Sequence, residues 1–110
     1  MNKAILLCDS ESLDNGESAE IMEQLGTEDL VISNLPSKKE LQKCFYELLE
    51  EQETVFLLVR KDEVGLGLSE LIPSPESLIS CSTGDYRMFS IKSEEITQDI
   101  RKAIDMWVER

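Results

Sequence analysis

A thiol, a carboxylate and a guanidinium follow the two most apolar runs of the sequence. Cys8 closes the run that begins at Ala4, Asp9 comes next, and Arg60 follows the run Thr54–Val59. A cysteine at the end of a strand can act as a nucleophile or carry a phosphate if a nearby cation stabilises its thiolate. Arg60 could supply that cation. The first candidate chemistry is therefore a small enzyme or phosphate-handling domain built on these three residues.

The residues that follow Cys8 oppose such chemistry. Four acidic residues stand where a phosphate site would have glycines and hydroxyls: Asp9, Glu11, Asp14 and Glu17. Negative charge disfavours a thiolate and repels phosphate, whereas a cysteine among apolar neighbours commonly belongs to a core. We therefore interpret Cys8 as a buried structural thiol and predict no catalytic residue.

Other common chemistries lack the residues that they need. The chain has no histidine, which removes histidine general bases, serine–histidine triads and most catalytic zinc sites. Its three cysteines show no Cys-x-x-Cys spacing, so structural zinc and thioredoxin-like redox chemistry are not indicated. Gly65 and Gly67 lack the third glycine of a dinucleotide-binding fingerprint. We expect neither a metal nor a cofactor.

Acidic residues dominate the charge of the chain. There are 23 Asp and Glu against 11 Lys and Arg, for a net charge of −12. This charge repels phosphates, so we expect no direct binding to nucleic acid and none to a membrane. No apolar run approaches the roughly 20 residues that cross a bilayer, and we expect no cleavable leader. With three dispersed cysteines, these features predict a cytoplasmic protein.

The excess of acid is concentrated near the amino end. Eight acidic residues and no Lys or Arg fall between Ala4 and Ser37. They are Asp9, Glu11, Asp14, Glu17, Glu20, Glu23, Glu28 and Asp29. Without interspersed bases they cannot neutralise one another in helical ion pairs. The segment is therefore either a solubilising surface or a face for a basic partner.

A second candidate contact region is Val64–Pro75, where the apolar residues are too irregularly spaced to belong all to one core. The pattern indicates a short strand or glycine-kinked loop at Val64–Leu68, followed by one helical turn at Ser69–Ile72. These residues either cover the edge of a sheet or form an exposed patch. The candidate partner-binding residues of the two regions are Asp9, Glu11, Asp14, Glu17, Glu20, Glu23, Leu66, Leu68 and Leu71.

The elements that must position these residues alternate between strand and helix. Short runs without polar alternation predict interior strands. They are Ala4–Cys8, Leu30–Ile32 and Thr54–Val59. A helix with a narrow apolar stripe is predicted between Asp14 and Gly26. A second helix begins after Ser37, which has capping-box spacing to Glu40.

The second half of the chain is predicted less regularly. Apolar residues of the helix after Ser37 recur at helical spacing: Leu41, Cys44, Phe45, Leu48 and Leu49. Ser77–Cys81 and Tyr86–Ile91 predict a hairpin with its turn at Thr83–Asp85. A long helix from about Ser93 completes the chain.

This order predicts an α/β fold in one domain, residues 1–110, built as a three-layer sandwich. The elements run β-α-β-α-β, an irregular segment, a β-hairpin and a C-terminal helix. The first three strands should be parallel and joined by right-handed crossovers. A flavodoxin-like order, with the first and third strands adjacent, is favoured over a ferredoxin-like arrangement.

The one-sided charge favours a small intracellular interaction module, acting as an adaptor, subunit or inhibitor that presents a negative face to a basic protein partner. Two alternatives stay open. One is the small enzyme or phosphate-handling domain that uses Cys8, Asp9 and Arg60 at the carboxyl edge of the sheet. The other is a nucleic-acid mimic, whose carboxylates would occupy the basic groove of a DNA- or RNA-binding protein.

Overall fold

The computed structural model contains a mixed five-stranded sheet and describes residues 2–8, 16–32, 37–61, 63–82 and 84–110. The strands are β1 (Lys3–Cys8), β2 (Leu30–Ile32), β3 (Thr54–Val59), β4 (Ser77–Cys81) and β5 (Gly84–Lys92), in the order β2-β1-β3-β5-β4. The helices of the described residues are α1 (Glu17–Leu25), α2 (Lys38–Glu51), α3 (Glu63–Ser69) and α4 (Gln98–Glu109). None of them combines the length and apolarity needed to cross a bilayer.

The first three strands form the parallel half of the sheet, with β1 between β2 and β3. Because β2 and β3 lie on opposite sides of β1, the two crossovers run in opposite directions. Crossovers of the same hand then place their helices on opposite faces of the sheet. The structure has this arrangement, since α1 packs on one face and α2, α3 and α4 pack on the other. The predicted α/β sandwich and the adjacency of the first and third strands are confirmed.

β1 and β3 are apolar after their first residue because each strand contributes to two cores. Every side chain from Ala4 to Leu7 is fully buried, and the same holds for Val55 and for Leu57 to Val59. Successive side chains of a strand point to opposite faces. Leu6 and Leu57 therefore join the cluster under α2, α3 and α4, whereas Ile5, Leu7 and Leu58 join the cluster under α1.

Helix α2 has the cap and the apolar face that its sequence predicts. Ser37 Oγ accepts a hydrogen bond from the backbone N–H of Glu40 at 3.5 Å. The buried residues of the helix are Leu41, Phe45, Leu48 and Leu49. A helix bound by one such stripe is stabilised mainly by its packing against the sheet.

The hairpin extends the sheet instead of standing apart from it. β4 and β5 pair antiparallel up to Cys81 and Gly84, with Thr83 outside the described residues. β5 also pairs antiparallel with the whole of β3. The sheet is thus parallel up to β3 and antiparallel beyond it.

The structure corrects the interpretation of Val64–Leu68, which is part of helix α3 and neither a strand nor a loop. Two glycines weaken a helix in isolation, so local propensity argued against it. Here they permit close approach. A Cβ on Gly65 would lie 3.0 Å from Cys8 Cβ, and one on Gly67 would lie 3.0 Å from Trp107 Nε1. Packing against β1 and α4 therefore outweighs the unfavourable helix propensity of glycine at these two positions.

Helix α4 begins later than the sequence pattern suggests. Ser93–Glu95 form a 3₁₀ turn, and Thr97 caps the helix by accepting from the N–H of Ile100 at 3.3 Å. Ile104 and Trp107 then pack into the core beneath α4.

Replacement of Leu48 by Ala should lower the free energy of unfolding by about 2–5 kcal/mol, because it removes buried methyl groups and leaves a cavity under α2. The exposed neighbour Glu47 supplies the matched control, since Glu47→Ala should change stability by no more than about 0.5 kcal/mol. Denaturant unfolding of both variants measures the difference. Equal stabilities for the two variants would contradict the packing of α2.

Candidate functional site

The carboxyl ends of β1 and β3 lie side by side, where Cys8 pairs with Val59 in the parallel ladder. Ligands of open parallel sheets bind at such an edge. Cys8 itself is only 1% exposed and contacts α3, because its Sγ would lie 3.1 Å from a Cβ on Gly65. Its burial agrees with a structural thiol. Asp9 lies outside the described residues.

A buried polar cluster joins three elements at this edge. Glu17, the first residue of α1, is only 1% exposed. Its Oε2 accepts a hydrogen bond from the Tyr86 hydroxyl at 3.0 Å and lies 3.5 Å from Nη1 of Arg60. The Arg60 guanidinium also stacks on Tyr86, with Cζ 4.6 Å from the ring centroid. We call Glu17, Arg60 and Tyr86 the buried polar cluster.

Glu17 is therefore a structural residue of this fold and not part of an exposed acidic face, which corrects its assignment as a partner contact. Burial of a carboxylate is costly unless a cation and hydrogen-bond donors compensate for lost water. For Oε2, Arg60 provides the cation and Tyr86 provides the hydrogen-bond donor. Oε1 is also buried, and it has no hydrogen-bond partner among the described residues. No local sequence signal predicts the pairing, because it joins the start of α1 to the end of β3.

Cys81, at the end of β4, lies near the buried polar cluster. Burial raises the pKa of the Cys81 thiol, the carboxylates of Glu17 and Glu20 raise it further, and Arg60 opposes the shift. A thiol with a raised pKa is protonated at neutral pH and is a poor nucleophile. All three cysteines are thiols in the structure, and none forms a disulfide.

The remaining described acids of the amino-terminal segment lie on the surface of α1 and the turn after it. They are Glu20, Glu23, Glu28 and Asp29, which we call the α1 acidic surface. Glu23, Glu28 and Asp29 are exposed, while Glu20 is half-buried and accepts from the Ser82 hydroxyl at 3.4 Å. Within the described part of the chain, none of the four forms a salt bridge. Asp9, Glu11 and Asp14 lie outside the described residues.

The end of α1 also forms a shallow depression of about 600 Å³. Its lining residues are Met22, Glu23, Gly26, Thr27 and Glu28. Gly26 ends the helix in the left-handed conformation with a φ of 67°, which glycine adopts without steric cost. The Thr27 hydroxyl then holds the turn by donating to the carbonyl of Lys3 at 2.8 Å. The depression therefore has an apolar wall and two carboxylates.

The leucines of α3 belong largely to the interior. Leu68 is fully buried, and Leu66 and Leu71 are half-buried against the same core. They cover the sheet, so they do not form the exposed patch that was one of the two expectations. An exposed apolar residue occurs instead on β4, where Leu78 is 65% exposed. Adjacent apolar residues such as Leu78-Ile79 also occur in β1 and β3, where both neighbours are buried, so the exposure of Leu78 follows from the position of β4 at the edge of the sheet.

Metal ligands do not converge in the described part of the chain, where no group of three Asp, Glu or Cys side chains could hold an ion. Comparison with protein-family models, with curated proteins and with solved structures found no significant match to this chain. The function must therefore be inferred from its own residues. Two features are available for this inference. At the carboxyl edge of the sheet, Glu17 pairs with Arg60. On the α1 acidic surface, the described residues form no ion pair.

Tyr86→Phe should lower the free energy of unfolding by about 1–3 kcal/mol, because it removes a buried donor from the Glu17 carboxylate. Tyr46→Phe is the matched control. The hydroxyl of half-buried Tyr46 lies 3.0 Å from Asp105 in an exposed position and 3.4 Å from the carbonyl oxygen of Arg101. Neither acceptor is a buried carboxylate, so loss of this hydroxyl should cost no more than about 1 kcal/mol. Denaturant unfolding compares the two variants. Equal costs would show that the buried polar cluster contributes no more than a surface contact.

Alkylation of the folded protein at about pH 6 should leave Cys8 unmodified over the time in which denatured protein is fully labelled, because the thiol is buried against α3. Peptide mass spectrometry after iodoacetamide treatment measures each cysteine separately. Rapid labelling of Cys8 in the native state would contradict its structural role and would favour the enzymatic alternative.

Proposed function

We propose that this protein is a small interaction module, an adaptor, subunit or inhibitor, whose α1 acidic surface binds a basic protein partner. The observation that carries the proposal is that four carboxylates lie together on one helix and turn without a salt bridge to any described residue. Exposed charges of one sign attract an oppositely charged partner and orient its approach. The net charge of −12 adds a long-range term of the same sign.

The way that α1 is held supports a binding role. Ile21 is fully buried beneath the helix, and Glu17 attaches its first turn to Arg60 and Tyr86. A helix fixed at both points holds in one position the backbone from which its carboxylates project. A partner then has less conformational freedom to remove on binding, so more of the interaction energy becomes affinity.

The depression at the end of α1 suits a basic side chain. Lys and Arg combine an apolar stem with a charged head, and they commonly bury the stem while the head stays in water. Met22 would contact such a stem, and Glu23 and Glu28 would meet the head. This arrangement favours a basic partner over an apolar one.

The carboxyl edge gives less support to the enzymatic alternative. Arg60 would have to activate Cys8 or bind phosphate, yet its guanidinium lies against Glu17 and its side chain is only 12% exposed. Cys8 is buried beneath α3. The three thiols accord with the cytoplasm, which we propose as the compartment of this module.

Two variants of equal net charge separate a specific acidic face from charge alone. The first is Glu20→Gln, Glu23→Gln, Glu28→Gln and Asp29→Asn combined. The control combines Glu47→Gln, Glu50→Gln, Glu51→Gln and Glu109→Gln. Each of these four residues is an exposed acid on α2 or α4. Each set removes four of the 23 acidic residues. Thermal melts first establish that both variants fold.

Immobilised wild type and both variants would be compared by quantitative mass spectrometry of the proteins that they retain from an extract of the native cell. Loss of the α1 carboxylates should weaken the basic partner by about tenfold or more, since four rim charges each contribute about 0.3–1 kcal/mol. The control should retain it. Equal loss in both variants, or no basic partner at all, would contradict the proposal. Competition by DNA for the same partner would instead favour nucleic-acid mimicry.

A further inference from the structure

We infer that the outer edge of β4 takes an extended basic segment of the partner as a sixth strand, an inference that rests on the proposed function and specifies how the partner binds. β4 is the last strand of the sheet, and among the described residues it pairs with β5 alone. An added strand satisfies the unpaired backbone groups of such an edge. The edge also lies next to the α1 acidic surface.

The direction of the backbone groups on β4 follows from one hydrogen bond. Gln24 Nε2 donates to the carbonyl oxygen of Ser80 at 2.9 Å, so this oxygen points away from β5. In an antiparallel ladder, residues alternate between pairs that bond to the neighbouring strand and pairs that face outward. Leu78 stands two residues before Ser80. Its N–H and C=O therefore point outward as well, where an incoming strand would meet them.

The side chain at the same position is unusual for an edge. Leu78 is 65% exposed and faces Arg87 across the ladder. Soluble proteins commonly protect open edges with charge or proline inside the strand. Here Pro73 and Pro75 precede β4, and the strand itself carries no charged residue. At Leu78, β4 thus offers both outward backbone groups and an apolar side chain.

Acidic residues flank this edge on both faces of the sheet. On the α1 side, Glu20 contacts Ser82 at the end of β4, and α1 continues from there to Glu23. On the opposite side, Glu70 and Glu76 line a depression of about 270 Å³ beside Arg87. Arg87 pairs with Glu76, while Glu70 forms no salt bridge among the described residues.

This distribution of charge selects the occupant. An extended chain directs alternate side chains to the two faces of a sheet. Basic residues of an added strand would therefore meet Glu20 and Glu23 on the α1 face. On the other face they would meet Glu70, since Glu76 is already paired with Arg87. A second copy of this chain would bring the same acids together at a net charge of −12 per molecule. Like charges placed opposite each other disfavour that pairing. A basic segment from another protein is the occupant that fits.

The probe is a synthetic peptide of about eight residues in which lysine and valine alternate, titrated into labelled protein and followed by NMR and calorimetry. Leu78→Pro removes the outward N–H and places a ring against an incoming strand, but it leaves the β4–β5 ladder intact. Leu78→Ala keeps the N–H and removes only the side chain. We expect Leu78→Pro to weaken binding about tenfold or more and Leu78→Ala about threefold or less. In wild type, the amides of Leu78 and Ser80 should gain protection from hydrogen exchange when peptide is bound.

The other outcomes separate this inference from the proposed function. If the combined α1 variant loses the peptide while Leu78→Pro retains it, strand addition is wrong and the acidic surface remains the site. Equal weakening by Leu78→Pro and Leu78→Ala would point to a side-chain contact and also overturn strand addition. Should Leu78→Pro fail to fold, amide protection in wild type decides, and its absence overturns the inference. Self-association of wild type that Leu78→Pro abolishes would assign the edge to a second copy.

Discussion

The buried carboxylate of Glu17 forms an ion pair and a hydrogen bond that fix helix α1, the helix that carries the proposed binding surface. A carboxylate in an apolar interior is tolerated only where a cation and donors replace water, and Arg60 and Tyr86 supply them. Among the described helices, α1 alone packs on its face of the sheet. Its position therefore depends on this cluster at one end and on Ile21 along its length. The same contacts fix the backbone that carries the outward carboxylates of α1.

The fold separates the acidic residues of the amino-terminal segment into two kinds. Glu17 lies in the interior, where its carboxylate pairs with Arg60, the residue that follows β3. Glu23, Glu28 and Asp29 stay in water on the same helix and the following turn. An exposed carboxylate gains little from a distant cation at physiological ionic strength, because charges are screened over about 8 Å. The charges of a basic partner in direct contact lie closer than this distance, so their attraction to the carboxylates is screened much less.

The parallel half of the fold could be predicted because its signals are local. β1 and β3 are apolar without alternation, since both of their faces are buried, and α2 has a cap at Ser37 followed by an apolar stripe. The turn glycine and alternation of the hairpin are local as well. Such patterns depend on only a few neighbouring residues.

The features that escaped prediction depend on contacts between distant parts of the chain. Gly65 and Gly67 argue against a helix until Cys8 and Trp107 are seen to leave no room for side chains. Glu17 is indistinguishable by spacing from the acids beside it, and only the juxtaposition with Arg60 sets it apart. Leu78 becomes an exposed residue because β4 happens to be the last strand. The sequence thus indicates that the amino-terminal segment is acidic. It does not indicate which of the acidic residues is buried, or that β4 forms the edge of the sheet.

The central claim, that the carboxylates of the α1 acidic surface bind a basic partner, is tested most directly by the salt dependence of that binding. The affinity of the retained partner would be measured between about 50 and 300 mM NaCl. Over this range the distance across which charges interact shortens to the separation of neighbouring side chains. Wild type and the variant neutralised on α2 and α4 should show the same steep loss of affinity with salt, and the variant neutralised at Glu20, Glu23, Glu28 and Asp29 should show a shallower one. Identical slopes for all three proteins would contradict the claim.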